Sequence, residues 1–125
     1  MRSSVNAYGA GWLSADAEVK QAGSHRLAQF DLAVISKGRG SDGKVQYDYL
    51  ACKAWDAAAD AAEMLAKGDF VSFRGVLKQE RWTTKKGDKR SKIVIHIMDI
   101  GRIDTNLSEK KSGEPEKQDD EDFPF

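Results

Sequence analysis

Between residues 25 and 36 apolar side chains take every second position. Ala28, Phe30, Leu32 and Val34 fall on one side, Gln29, Asp31 and Ala33 on the other. A period of two commits the segment to a strand with one face against a core, because the same residues on a helix would spread around its circumference. Residues 45–55 repeat the pattern, with Leu50, Cys52 and Ala54 on one face and Tyr47, Tyr49, Ala51, Lys53 and Trp55 on the other. Residues 37–44, Lys-Gly-Arg-Gly-Ser-Asp-Gly-Lys, read as the loop joining these strands.

The remaining elements follow from the same signals. Residues 5–13 supply a first strand, weakened by Gly9 and Gly11. Asp56 is placed to cap an alanine-rich helix over residues 57–67, which Gly68 would stop. Residues 70–83 form a long strand with Gly75 near its middle, where a bulge or bend would let one strand serve both halves of a barrel. Residues 84–90 make a hairpin tip with four bases and one acid. Residues 91–103 return as a strand apolar on both faces, as expected inside a sheet or at a subunit contact. Five strands with one helix between the third and fourth give an all-β chain with the order of an OB-fold barrel.

The apolar pattern stops near Asp104, which sets residues 1–104 apart as the folded domain. Residues 105–118 are Thr, Ser, Glu, Lys, Gly, Asn, Gln and Pro with only Leu107 apolar, the composition of a disordered linker. Residues 119–125, Asp119, Asp120, Glu121, Asp122, Phe123, Pro124 and Phe125, then place four acids against two aromatic rings. Acids at that density stay solvated and would steer the segment to a basic groove, while the terminal ring would fill an apolar pocket. This reads as a protein-interaction tip. Residues 105–125 hold seven acids against three lysines, net −4; the zero total then leaves +4 on the domain. A basic body suits a polyanion.

Catalytic chemistry finds little footing. His25 and His96 are far apart and Cys52 stands alone, so no metal-ligand spacing exists and no cofactor is expected. Cys52 also lies on the core side of its strand, away from any substrate. The glycines at 38 and 40 lie between two strands and open no helix, so they cradle no phosphate. One cysteine fits a reducing compartment, and no apolar run reaches the roughly 20 residues of a membrane span, so a cytoplasmic, nucleoid-associated protein is expected.

The aromatic pattern is more informative. Tyr47, Tyr49 and Trp55 share a face with Lys53, and Arg81 and Trp82 lie where the long strand leaves for the basic hairpin. Such rings either pack at a core or subunit contact or receive stacked bases, and a lysine among them favours bases. Stacking contributes about 1–3 kcal/mol per base whatever the base. The basic residues Lys85, Lys86, Lys89 and Arg90 would meet phosphates.

With those residues in view, nearly the whole chain resembles the bacterial-type single-stranded DNA-binding proteins. Val5-Asn6 and residues 11–19, Gly-Trp-Leu-Ser-Ala-Asp-Ala-Glu-Val, are similar to that family's opening strand and turn. The acidic Pro-Phe end is the most specific match. The resemblance implies base-stacking roles for Tyr49, Trp55 and Trp82, and phosphate contacts for Lys20, Lys67, Lys78 and Arg81. It also implies a homotetramer, and a tip that recruits replication, recombination and repair enzymes. Two departures stand out: Tyr49 replaces the family's tryptophan, and Lys37 and Arg39 occupy the loop where another is usual, shifting affinity toward charge. An OB-fold accessory subunit of primosome type, touching DNA only secondarily, is the alternative. A nuclease on the same barrel would need convergent carboxylates that the sequence does not offer.

Overall fold

A computed structural model describes residues 1–104. The linker and tip assigned to residues 105–125 lie outside the described residues. Strands β1 (Asn6–Leu13), β2 (Glu18–Ala22), β3 (His25–Lys37) and β4 (Gln46–Trp55) precede helix α1 (Ala57–Glu63), and β5 (Phe70–Thr83) and β6 (Lys89–Arg102) follow it.

The sheet order is β1-β5-β6-β4-β3-β2, with a further pairing of β1 to β3 that closes five strands into a ring. The closure is slender: Trp12 opposite Ala33 and Leu13 opposite Leu32, continued by the Ser14 N–H and hydroxyl, which both donate to the Asp31 carbonyl oxygen. β6 lies between β5, which it pairs antiparallel along its length, and β4, which it meets in parallel through Cys52, Lys53 and Ala54 opposite Ile95, His96 and Ile97. This is the expected OB fold, as a partly open ring rather than a regular barrel.

Side chains inside the ring are those the alternation selects. Leu13, Ala28, Phe30, Leu32, Cys52, Ala54, Val71, Phe73, Ile95 and Ile97 are buried together, and Ala59 and Ala62 of α1 join them. Burial pushes the Cys52 thiol up to about 12, so it is inert as a nucleophile. The β5–β6 register shifts at Gly75, as its position suggested. A Cβ there would stand 2.6 Å from the His96 carbonyl oxygen, so only glycine lets the strands approach at the bend.

Three features differ from the sequence reading. A sixth strand, β2, hangs on β3 outside the ring through a two-residue turn, with Gly23 at φ 66°. The helix ends at Glu63, because Met64 and Leu65 bond three residues back and the Asp69 carboxylate takes the Ala66 N–H. Asp56 makes no side-chain cap: its carboxylate accepts from the Arg26 backbone N–H at 3.1 Å and lies 2.8 Å from His25 Nδ1. Those bonds hold the carboxyl below its usual range, the Arg26 N–H more than the imidazole.

Candidate nucleic-acid interface

Residues directly opposite one another on paired strands share a face, so the registers map the outside of the ring. One row across it runs Phe70, Trp12, Ala33, Tyr49. Trp12 packs on Phe70 at 4.8 Å between ring centroids and meets Tyr47 edge-on at 6.2 Å. A second row runs Lys20, Leu27, Trp55. Tyr49 and Trp55 are six residues apart on one strand face, a span of about 20 Å. Tyr49 is 63 % exposed, Trp55 38 % and Tyr47 36 %, so the rings cover the sheet yet keep open surface. Trp55 also stands edge-on to His25.

The β5–β6 ribbon extends this face. Lys78, Glu80 and Trp82 alternate outward on β5, and Trp82, 46 % exposed, is opposite Arg90. Arg81 points to the ribbon's other face, where its guanidinium donates to Gln79 Oε1 at 2.7 Å. Lys89 is on that face too, so the structure separates Arg81 and Lys89 from Trp82 and Arg90. Strand β6 begins at Lys89, which shortens the tip to residues 84–88. There the Thr84 hydroxyl accepts from the Asp88 N–H, and Lys85 and Lys86 are exposed.

The remaining basic residues ring the face without converging on a point. Lys37 ends β3, and Arg39 donates to the Gly43 carbonyl oxygen at 2.6 Å within its loop. Lys67 follows α1 with its backbone N–H bonded to Asp16 Oδ1, near the Phe70 end of the aromatic row. Lys53 differs from the others: its ammonium is 2.9 Å from Glu80, and both side chains are about three-quarters buried. Trp12, Phe70 and Glu80 belong to this face although nothing local in the sequence assigned them to it. Tyr47, Tyr49 and Trp55 are where the alternation put them, and Lys20, expected only from the resemblance, lies on the same face through Leu27.

A family model described as the single-strand binding protein family matches residues 10–114. The chain belongs to this family. It is 32% identical over 99 residues to a single-stranded DNA-binding protein of Mycolicibacterium smegmatis and 33% over 99 residues to one of Mycobacterium tuberculosis. Each alignment covers 73% of this chain and 59% of the relative, so the chain spans less than two thirds of the relatives' length. A single-stranded DNA-binding protein of Paenarthrobacter aurescens is 39% identical over 54 residues, 42% of this chain and 32% of that protein. The matched stretch stops short of residues 119–125.

Among the described residues there is no group of three or more His, Cys, Asp or Glu side chains able to hold a metal ion, and no helix long and apolar enough to cross a membrane.

Proposed function

We propose that the outer face binds single-stranded DNA without base preference. Tyr47, Tyr49, Trp55 and Trp82 receive stacked bases, and Lys20, Lys37, Arg39, Lys67, Lys78, Lys85, Lys86 and Arg90 neutralise phosphates along the path. A strand reaches Arg81 and Lys89 by wrapping the ribbon edge. The observation that carries the reading is the set of half-exposed rings spaced along one sheet face and edged by bases. A ring exposed on one side accepts any base, because every base has a π-face. The relatives' names support the same reading.

The wider role follows from the same proposal: the protein coats strands opened during replication, recombination and repair, with no chemical step of its own. The acidic segment at residues 119–125 recruits the enzymes that act there. Val5, Tyr8, Ile93 and Met98 are exposed apolar residues that suit burial between copies of this chain in a homotetramer.

Tryptophan emission tests the site. A saturating poly-dT oligomer should quench it, and Trp55→Ala and Trp82→Ala should each weaken binding by about 1–3 kcal/mol with the fold intact. Unchanged emission, in a sample where another method shows binding, would remove the stacking roles. Failure to bind poly-dT at all would favour an accessory interaction subunit.

A further inference from the structure

A row across four strands of the outer face reads Gln29, Lys53, His96, Val76. Glu80 reaches into it from β5. One carboxylate oxygen is 3.0 Å from Lys53 Nζ and the other 2.9 Å. The second also lies 3.4 Å from His96 Nε2, a buried nitrogen that makes no hydrogen bond. Lys53, Glu80 and His96 are each only about a quarter exposed, so water screens this cluster less than it does the open surface. The arrangement is an anion site: an ammonium from β4 and an imidazole from β6 converge on one negative group. The protein supplies that group itself.

Position gives the cluster its meaning. Lys53 alternates with Tyr49 and Trp55 on β4, and Glu80 alternates with Lys78 and Trp82 on β5. A strand stacked on rings of both elements passes over the Lys53–Glu80 pair. The acid then opposes a phosphate backbone in two ways: it repels directly, and it occupies the ammonium that would otherwise take a phosphate.

We infer that Glu80 limits the affinity for single-stranded DNA by holding Lys53 in an internal ion pair that a backbone phosphate must displace. The inference rests on the strand-binding face proposed above. Hydrogen bonding and charge from Lys53, with a smaller contribution from His96, keep the Glu80 carboxyl below its usual range, so it stays ionised at neutral pH.

The test is a double-mutant cycle read by binding of a poly-dT oligomer across a salt series, each variant first checked for an unchanged melting curve. Glu80→Gln keeps the shape and removes the charge. One released phosphate contact steepens the slope of log affinity against log salt by about 0.7 for single strands, equivalent to about fivefold tighter binding at 0.1 M salt relative to 1 M. In a Lys53→Met background the same Glu80→Gln change should lose most of that gain. Glu80→Thr, a smaller residue suited to strands, serves as a second variant should the glutamine disturb folding.

Affinity equal to or below wild type in folded Glu80→Gln and Glu80→Thr would overturn the inference. So would a gain undiminished without Lys53, which would show repulsion alone. A wild-type protein that does not bind the oligomer at low salt would instead remove the strand-binding reading, and the inference with it.

Discussion

Replacing Gly11 with alanine should open the ring at its seam. A Cβ at that position would stand 2.7 Å from the Ala33 carbonyl oxygen and 2.8 Å from Val34 Cγ1, against the 3.4 Å at which ordinary contact begins. The shortfall is about 0.7 Å, and the nearer atom is backbone, which cannot swing aside. Separating β1 from β3 by that amount would stretch hydrogen bonds of about 2.9 Å past their useful range, and two residue pairs with the adjoining bonds from Ser14 to the Asp31 carbonyl oxygen hold this seam together. Overpacking costs about 1–3 kcal/mol, and each weakened hydrogen bond about 0.5–1.5 kcal/mol. A loss of about 2–4 kcal/mol is expected. At about 4–8 °C per kcal/mol for a domain of this size, the melting temperature should fall by about 10 °C or more. Gly101 is the matched control: a Cβ there meets nothing within 4 Å, and its backbone has no positive φ. Gly101→Ala should stay within about 0.5 kcal/mol of wild type. Thermal and urea unfolding at one protein concentration compare the two variants. Coincident curves would refute the claim that the β1–β3 approach requires a glycine.

Neutralising Lys85, Lys86, Lys89 and Arg90 together should reduce the salt slope of poly-dT binding by about 3, at about 0.7 per contact, because a strand that wraps the ribbon edge meets all four; an unchanged slope would move the DNA path off the hairpin. Deleting Phe125 should abolish capture of replication and repair enzymes from a bacterial extract while leaving DNA affinity near wild type. Deleting residues 119–125 should also tighten DNA binding slightly at low salt, and equal recovery of enzymes by all three proteins would leave the tip without a recruiting role. The Asp56 carboxyl is held below its usual range by the Arg26 N–H and His25, so its contribution to stability is present above the unfolded carboxyl pKa of about 3.9 and lost as pH falls through the lower folded value. The melting-temperature gap between wild type and Asp56→Asn should therefore narrow below about pH 4, whereas a constant gap from pH 7 to pH 3 would show that ionisation of Asp56 contributes nothing.

The ring was legible because β3, β4 and β5 each carry one apolar face, which alternation reports, whereas β1 contributes only Leu13 as a large core side chain. β2 escaped because it is an edge strand with Val19 as its one large apolar residue. Its turn, Gly23-Ser24, did carry a hairpin signal. The helix was overextended because alanine content speaks for helix while the stop came from Asp69, a side chain beyond its end. Tyr47, Tyr49 and Trp55 could be placed from parity alone. Pairing Glu80 with Lys53 could not, since the two are 27 residues apart and meet only because β6 brings β4 and β5 together. Parity did separate Arg81 from Trp82, yet their adjacency in sequence drew them into one group.

The parallel pairing of β4 with β6 also bears on how the chain comes off the ribosome. Residues 89–102 are the last strand of the ring to be synthesised, and they lie at its centre, joined on one side to residues made some forty positions earlier. Until they emerge, β2, β3 and β4 form a meander whose inner face of Phe30, Leu32 and Cys52 has no cover from Ile95 and Ile97. A nascent chain in that state presents an apolar sheet and an open β4 edge, which other chains or a chaperone can engage. Completion of the ring thus waits until residues 89–102 have emerged, and a product truncated before Ile95 should accumulate as aggregate rather than as a smaller folded unit.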